Sequence, residues 1–175
     1  MDHVYNYRNC QSLFGYAQNV HKRSGGICQL CGAGKGEPSN FNLWRQLTVE
    51  HLVGASQGGY INDIRQTISK RFPTLSNEQR EELALRIDKA NTVTACHFCN
   101  STTSRYQNIV NMTQLISEAE GEADEVVNEV ESKLKEILRY KQDDVRKKLE
   151  SIREAFSSMI KPELDKHADR NPTLK

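Results

Sequence analysis

Apolar and polar residues alternate with different periods along the chain and so separate helical from extended stretches. Residues 11–22 carry apolar side chains at helical spacing and are followed by a glycine pair that would end a helix. Residues 44–53 alternate and are rich in β-branched side chains, which predicts a strand that a second glycine pair ends. Residues 91–95 predict another short strand, with a helix beginning near Cys99.

The stretch from residue 60 to residue 89 has a helical pattern and lies between the two predicted strands. Ser76 stands where an N-cap would be, and Gln79 occupies the capping-box position three residues later. Pro73 separates this stretch into two pieces. The pattern therefore predicts a helical insertion between the strands.

From residue 113 onward the apolar positions are spaced by threes and fours, so each predicted helix has one apolar stripe. The stripe contains Val127, Val130, Leu134, Ile137, Leu149, Ile152, Phe156 and Met159. The spacing falters at residues 141–145, which indicates either a hinge between two helices or a stutter in one long helix. We expect residues 113–175 to form a C-terminal helical extension.

The composition is that of a water-soluble protein with a single core. The chain has 175 residues, 27% of them charged, and a mean hydropathy of -0.70. No apolar run approaches the roughly 20 residues that a membrane span requires. The N-terminal residues 1–10 contain no apolar signal core. We therefore expect a cytoplasmic protein without a membrane partner.

The net charge of +1 is unevenly distributed along the chain. Residues 1–112 hold 12 Lys and Arg against 8 Asp and Glu, whereas residues 113–175 hold 12 against 15. Residues 117–132 contain seven acidic side chains and no basic one. The N-terminal part is thus the better surface for a polyanion, although this bias alone does not indicate nucleic-acid binding.

Four of the five cysteines form two C-x2-C pairs, Cys28 with Cys31 and Cys96 with Cys99. Disulfides are rare inside cells, and each pair presents two thiolates at a separation suited to tetrahedral zinc. The two pairs together predict one closed, structural zinc site. A redox dithiol or simple burial is the alternative. His97, which lies between two of the cysteines, could replace one as a ligand, but a solvent-facing position is favoured.

The order of motifs resembles the HNH nucleases of the ββα-metal type. That family combines two cysteine pairs with an acid-His pair, a Ser-x-Gly-Gly turn, an Asn and a further Asn after the last cysteine. The chain supplies "CQLC", "VEHLVGASQGG" and "NTVTACHFCN" in that order. The resemblance covers about residues 20–110, interrupted by residues 60–89. It implies an α+β fold with a zinc-stapled ββα-metal core.

The resemblance also implies roles for four residues. His51 would be the general base that activates water, since a neutral imidazole is available at cellular pH. Glu50 and Asn100 would supply oxygen ligands to one catalytic Mg²⁺ or Mn²⁺ ion. Asn91 would tie down the loop that carries His51. Glu50 and His51 are adjacent, so they can converge only if the strand ends or bulges there.

The chain departs from the family pattern at three places. Glu50 replaces the commoner Asp, and about thirty residues are inserted before Asn91. The lysine that often follows the last Asn is absent, since Thr102 and Thr103 stand there. Phosphate anchoring is then expected from other basic residues, namely Arg105, Arg45, Arg65, Lys70 and Arg71, with Lys22 and Arg23 as further candidates.

These features predict a DNA endonuclease domain over residues 1–112, of the kind used in restriction, mobile-element or phage biology. The alternatives are a zinc-dependent nucleic-acid-binding module that does not cleave, a nickase and an RNA-directed nuclease. The extension 113–175 would either pack back on the core or form a homodimer as a coiled coil. A dimer is favoured, because a two-fold arrangement most easily cuts both strands of a duplex.

Overall fold

The protein, seen in a computed structural model that describes residues 8, 13–37, 39–103 and 110–170, has a mixed α/β fold in which helices predominate. The elements are α1 (Gly15–Arg23), α2 (Phe41–Trp44), β1 (Leu47–His51), α3 (Ile61–Arg71), α4 (Asn77–Asn91), β2 (Thr92–Cys96), α5 (His97–Thr102), α6 (Met112–Glu118), α7 (Ala123–Ala155) and α8 (Lys161–Arg170). A 3-10 turn covers Ala55–Gln57, and a π turn at Phe156–Ile160 joins α7 to α8. The predicted combination of helices with a small sheet is confirmed.

The sheet consists of β1 and β2 in antiparallel pairing, with Leu47 opposite Cys96 and His51 opposite Thr92. The strand predicted over residues 44–53 is wrong at both ends. Its first residue belongs to α2, which Asn40 caps by accepting a hydrogen bond from the Leu43 amide at 3.2 Å. The second strand begins one residue later than predicted, because Asn91 ends α4.

The insertion between the strands is a pair of helices, α3 and α4, as predicted. Ser76 accepts a hydrogen bond from the Gln79 amide at 3.2 Å, and the Gln79 side chain accepts one from the Ser76 amide at 2.9 Å. The predicted capping box is therefore confirmed. Ile64 and Ile68 of α3 pack with Ile87 of α4 in the main hydrophobic core.

The extension continues as one helix through residues 141–145, so the faltering of its apolar spacing is a stutter and not a hinge. The first half of its inward row, from Val126 to Ile137, is buried in the main core beside α3 and α4. Val145 and Leu149 pack on the cysteine pairs. Residues 150–167 are exposed on all sides. The first half of α7 is thus part of the same hydrophobic interior as the insertion.

Candidate functional site

The four paired cysteines meet at one point, although 65 residues separate Cys31 from Cys96. Their sulfur atoms all lie within 4.8 Å of one another, and Cys31 Sγ is 3.9 Å from Cys96 Sγ. Four sulfurs at tetrahedral zinc bonds of about 2.3 Å would stand about 3.8 Å apart. The cluster can therefore hold a zinc ion, and its donor set is that of a structural site.

Main-chain hydrogen bonds place the first cysteine pair against the sheet. The Gln29 amide donates to the Thr94 carbonyl at 2.8 Å, and the Gln29 side chain accepts from the Thr94 amide at 3.0 Å. Gln29 therefore pairs with β2 in the manner of a short third strand. The second pair is placed by the junction of β2 with α5, since Cys96 ends the strand and Cys99 lies in the first turn of the helix.

The four thiols interact strongly with one another. Hydrogen bonds from the neighbouring thiols, that of Cys31 first, lower the pKa of Cys28 against the opposing effect of burial, whereas hydrogen bonding with Cys28 raises the pKa of Cys31 and of Cys99. His97 is exposed and is not among the clustered donors. Cys10 lies outside the described residues.

Glu50, His51 and Asn100 line one polar cleft beside the four-cysteine cluster, with a volume of about 530 Å³. Glu50 and His51 are adjacent in sequence, and both can line the cleft because β1 ends at His51, where the chain leaves the regular strand. Asn100 arrives from α5, immediately after the last cysteine. The cysteine cluster and the two strands thus bring together an imidazole, a carboxylate and an amide.

Asn91 fixes the loop that follows His51. Its side-chain oxygen accepts from the Val53 amide at 2.8 Å, and its nitrogen donates to the carbonyls of Val53 and Gly59 at 3.0 and 2.8 Å. The loop returns so closely that a Cβ on Gly59 would lie 1.8 Å from the Val53 carbonyl oxygen. Only glycine fits there, which gives the second glycine of the Gly58–Gly59 pair its structural reason.

Asn91→Ala is expected to lower the free energy of unfolding by about 2–4 kcal/mol, because it leaves buried backbone groups of Val53 and Gly59 without partners. Urea denaturation of the zinc-loaded protein measures this loss. Asn62→Ala, at an exposed position of α3, is the matched control and should change stability by less than about 0.5 kcal/mol. Equal stability of the two variants would contradict the tying role of Asn91.

Two tyrosines hold the His51 ring. The ring centroid of Tyr60 is 4.5 Å from that of His51. The ring of Tyr16 also stacks on His51, with the two centroids 6.3 Å apart and the ring planes 14° apart. The Tyr16 hydroxyl lies 3.4 Å from His51 Nε2 and donates to Asp88 at 3.3 Å. Its oxygen can therefore accept a hydrogen bond from Nε2–H, and in that tautomer the Nδ1 lone pair is available.

The electrostatic surroundings keep His51 neutral. Burial lowers the pKa of His51, Glu50 opposes that change, and the charge of Lys141 adds to it. Burial is also the main reason that the pKa of Tyr16 rises to about 12, so its hydroxyl stays protonated. A neutral imidazole is the form that a general base requires.

Lys141 of α7 reaches into the cleft and forms an ion pair with Oε1 of Glu50. The side chains are nearly enclosed, with 6% of Lys141 and 13% of Glu50 exposed. Asn100 is oriented by its own hydrogen bond, since its Nδ2 donates to Thr48 Oγ1 at 2.9 Å. The amide oxygen is thereby the atom left to face the cleft.

The basic residues predicted to anchor phosphate do not gather at this cleft. Arg65 is paired with Glu81, its Nε 2.8 Å from Oε2, and Arg71 donates to the carbonyls of Ser117 and Ala119 at the end of α6. Arg45 and Lys70 are exposed, and neither lines the cleft. Arg23 bonds to the carbonyl of Thr92. Arg105 lies outside the described residues.

Sequence reasoning missed three residues at this site, namely Tyr60 and Lys141, which line the cleft, and Tyr16, which contacts His51. The aromatic pair gave no signal, because isolated tyrosines in a helix and a turn have many uses. Lys141 did leave a signal, since it occupies the position where the apolar spacing of α7 falters. A charged residue in an otherwise apolar inward row could therefore have been read from the pattern.

Within the described ranges, every helix is too short or too polar to cross a bilayer. Searches with family models, among curated proteins and among solved structures found nothing that matches this chain.

Proposed function

We propose that the protein is a metal-dependent DNA endonuclease of the HNH, ββα-metal type, whose core is β1, β2 and α5. The observation that carries this proposal is the convergence of Glu50, His51 and Asn100 on one cleft beside the four-cysteine cluster. The three residues come from two elements, β1 and α5, which β2 connects because it pairs with β1 and runs directly into α5. A module that only bound nucleic acid would have no need of an imidazole held neutral at that point.

The donors in the cleft fit a hard divalent ion such as Mg²⁺ or Mn²⁺. Glu50 offers a carboxylate and Asn100 an amide oxygen, the ligand types that these ions prefer. Glu50 already pairs with a cation here, the ammonium group of Lys141, which supports a role for this carboxylate in neutralising positive charge. Such an ion, when bound, stabilises negative charge on the phosphoryl and leaving oxygens.

The chain's own residues supply the remaining chemistry. His51 takes a proton from the attacking water through Nδ1, while Tyr16 and Tyr60 keep its ring in place. Asn91 holds the loop after His51 by three hydrogen bonds, which preserves the angle at which the imidazole enters the cleft. The zinc cluster fixes Asn100 against Thr48 of β1.

DNA is the proposed substrate, because the residues that build this cleft belong mainly to the basic N-terminal part of the chain. The biological setting of the protein would be restriction, a mobile element or a phage. Arg45 is the exposed phosphate candidate nearest in sequence to β1, whereas Arg65 and Arg71 are engaged within the fold. The seven acidic side chains of residues 117–132 lie at the end of α6, in the link that follows it and on the start of α7.

The test is incubation of zinc-loaded protein with supercoiled plasmid and Mg²⁺ or Mn²⁺, with gel separation of supercoiled, nicked and linear forms. We expect ion-dependent loss of the supercoiled form, and none with Glu50→Gln. Binding of DNA without cleavage under any of these conditions would instead identify a binding module. Accumulation of nicked circles alone would identify a nickase, and cleavage of RNA but not DNA an RNA nuclease.

The rate of cleavage should depend on pH through His51. Only the neutral imidazole accepts a proton, so the rate falls on the acid side as His51 becomes protonated. Because burial lowers the pKa of His51, we expect the acid midpoint to lie below the ordinary value of 6.5. Single-turnover rates across this range measure it, and a midpoint above 6.5 would contradict a buried base.

A homodimer through the C-terminal helices is proposed for the exposed end of the extension, residues 150–167. Ile152, Phe156, Met159 and Leu164 are about half exposed or more along this segment. Within the described residues no part of the same chain covers them. Sedimentation of the full chain tests the dimer, which would place two clefts in one particle for the two strands of a duplex.

A further inference from the structure

Lys141 stands at a position that the helix would normally fill with an apolar side chain. It follows Leu134 and Ile137 and precedes Val145 in the inward row of α7, and all three of these neighbours are buried. The Lys141 side chain is 6% exposed and its ammonium group meets Glu50. The fold therefore brings a charge from the extension into the interior of the cleft.

Stability alone does not account for this pair. Two charges removed from water lose hydration that their attraction only partly returns, and an apolar pair of similar size is often as stable or more stable. A leucine or methionine at residue 141 would also continue the row from Ile137 to Val145. The ion pair is therefore better explained by the chemistry of the cleft than by packing.

The position of the ammonium group creates a direct conflict with the proposed ion. Lys141 contacts Oε1 of Glu50, the one carboxylate in the described lining of this cleft. A divalent ion on Glu50 must therefore share or replace the lysine. A DNA phosphate entering the same cleft offers the ammonium group an alternative anionic partner.

We propose that Lys141 moves its ammonium group from Glu50 to the substrate phosphate, and so couples ion binding to DNA binding. This inference rests on the proposed nuclease function and adds a residue to it. Without DNA, Lys141 competes with the divalent ion for Glu50. With DNA in the cleft, Lys141 neutralises a phosphate oxygen and releases the carboxylate, so each ligand raises the affinity for the other.

The first measurement is calorimetric titration of Mn²⁺ into zinc-loaded protein without DNA. Lys141→Gln is expected to bind Mn²⁺ at least about tenfold more tightly than the parent, because Glu50 loses its competing cation. Lys141→Arg keeps the charge and should bind Mn²⁺ much as the parent does. Circular dichroism and zinc content establish that the variants are folded.

The second measurement follows binding of a fluorescent duplex by anisotropy in a His51→Ala background, which prevents cleavage. Mg²⁺ should raise the DNA affinity of the His51→Ala protein at least about fivefold, at the low end of typical coupling between sites. The same ion should raise the affinity of the His51→Ala, Lys141→Gln protein far less. The ratio of the two increases is the coupling that Lys141 provides.

The outcomes separate this inference from the proposed function. Equal Mn²⁺ affinity in the parent and in Lys141→Gln, with binding lost in Glu50→Gln, would overturn the competition while leaving the ion site in place. Mn²⁺ binding that Glu50→Gln does not change would overturn the proposed ion site itself. Tighter Mn²⁺ binding by Lys141→Gln, with undiminished coupling to DNA, would overturn the exchange onto phosphate.

Discussion

Replacement of His51 by alanine is expected to slow DNA cleavage by about 10²–10⁴-fold, the usual contribution of a positioned general base. The physical reason is that water at neutral pH is a poor nucleophile until a neighbouring group accepts its proton. His51 is the only imidazole in the described lining of the cleft, and burial keeps it neutral. Single-turnover cleavage of a labelled duplex measures the loss.

The matched control is His167→Ala, which removes an exposed imidazole from α8. It should cleave at the parental rate. The His51→Ala protein should keep its zinc, its circular dichroism and its affinity for DNA, since the ring makes one weak hydrogen bond, to Tyr16. Cleavage by the His51→Ala protein at the parental rate would remove His51 from the mechanism.

Replacement of Cys99 by serine is expected to abolish stoichiometric zinc binding and cleavage together. A change in a residue that only supports a metal ligand lowers metal affinity by about 10- to 100-fold. Loss of one of the four thiolate ligands should lower the zinc affinity by more than that. Cys99 is fully buried, and Asn100 follows it directly on α5. Zinc content by mass spectrometry and plasmid cleavage measure the two losses.

The unfolding caused by Cys99→Ser should be local. The hydrophobic cluster around the cysteines is small, with Leu30, Ala95 and Val145 as its other buried members. Helices α3, α4 and α7 share a larger core that contains none of the cysteines. Amide hydrogen exchange should therefore accelerate in residues 27–33 and 96–102 and stay slow in residues 126–137.

The control for this variant is Cys10→Ser, which removes the cysteine outside the two pairs and should keep one zinc per chain. Exchange that accelerates equally across α3, α4 and α7 would show that the metal supports the whole fold. Full zinc content in Cys99→Ser would exclude the four-cysteine site.

The two variants also test different steps. His51→Ala should lose cleavage with its zinc in place, whereas Cys99→Ser should lose cleavage because Asn100 is no longer held against Thr48. Retention of zinc by His51→Ala and loss of zinc by Cys99→Ser would separate a defect in proton transfer from a defect in the metal-held structure. An inactive His51→Ala protein that has also lost its zinc would be uninformative about the base, which is why zinc content is measured on every variant.

The sequence by itself determined the features that depend on local spacing. The C-x2-C pairs predicted the cluster, because two thiols three residues apart can turn toward one ion. Ser76 and Gln79 predicted the start of α4, since a capping box involves only neighbours in the chain. The motif order also named Glu50, His51 and Asn100, which the fold brings to one cleft.

The tertiary structure alone decided which distant residues complete that cleft. Lys141 enters it from α7, 91 residues from its partner Glu50, and Tyr16 of α1 contacts His51 from 35 residues away. No periodicity encodes such a contact, because it depends on how whole helices pack. The apolar spacing of α7 falters at Lys141, and the pattern alone allowed a hinge there. The packing of α7 against α4 shows instead that the helix continues and that Lys141 is turned inward.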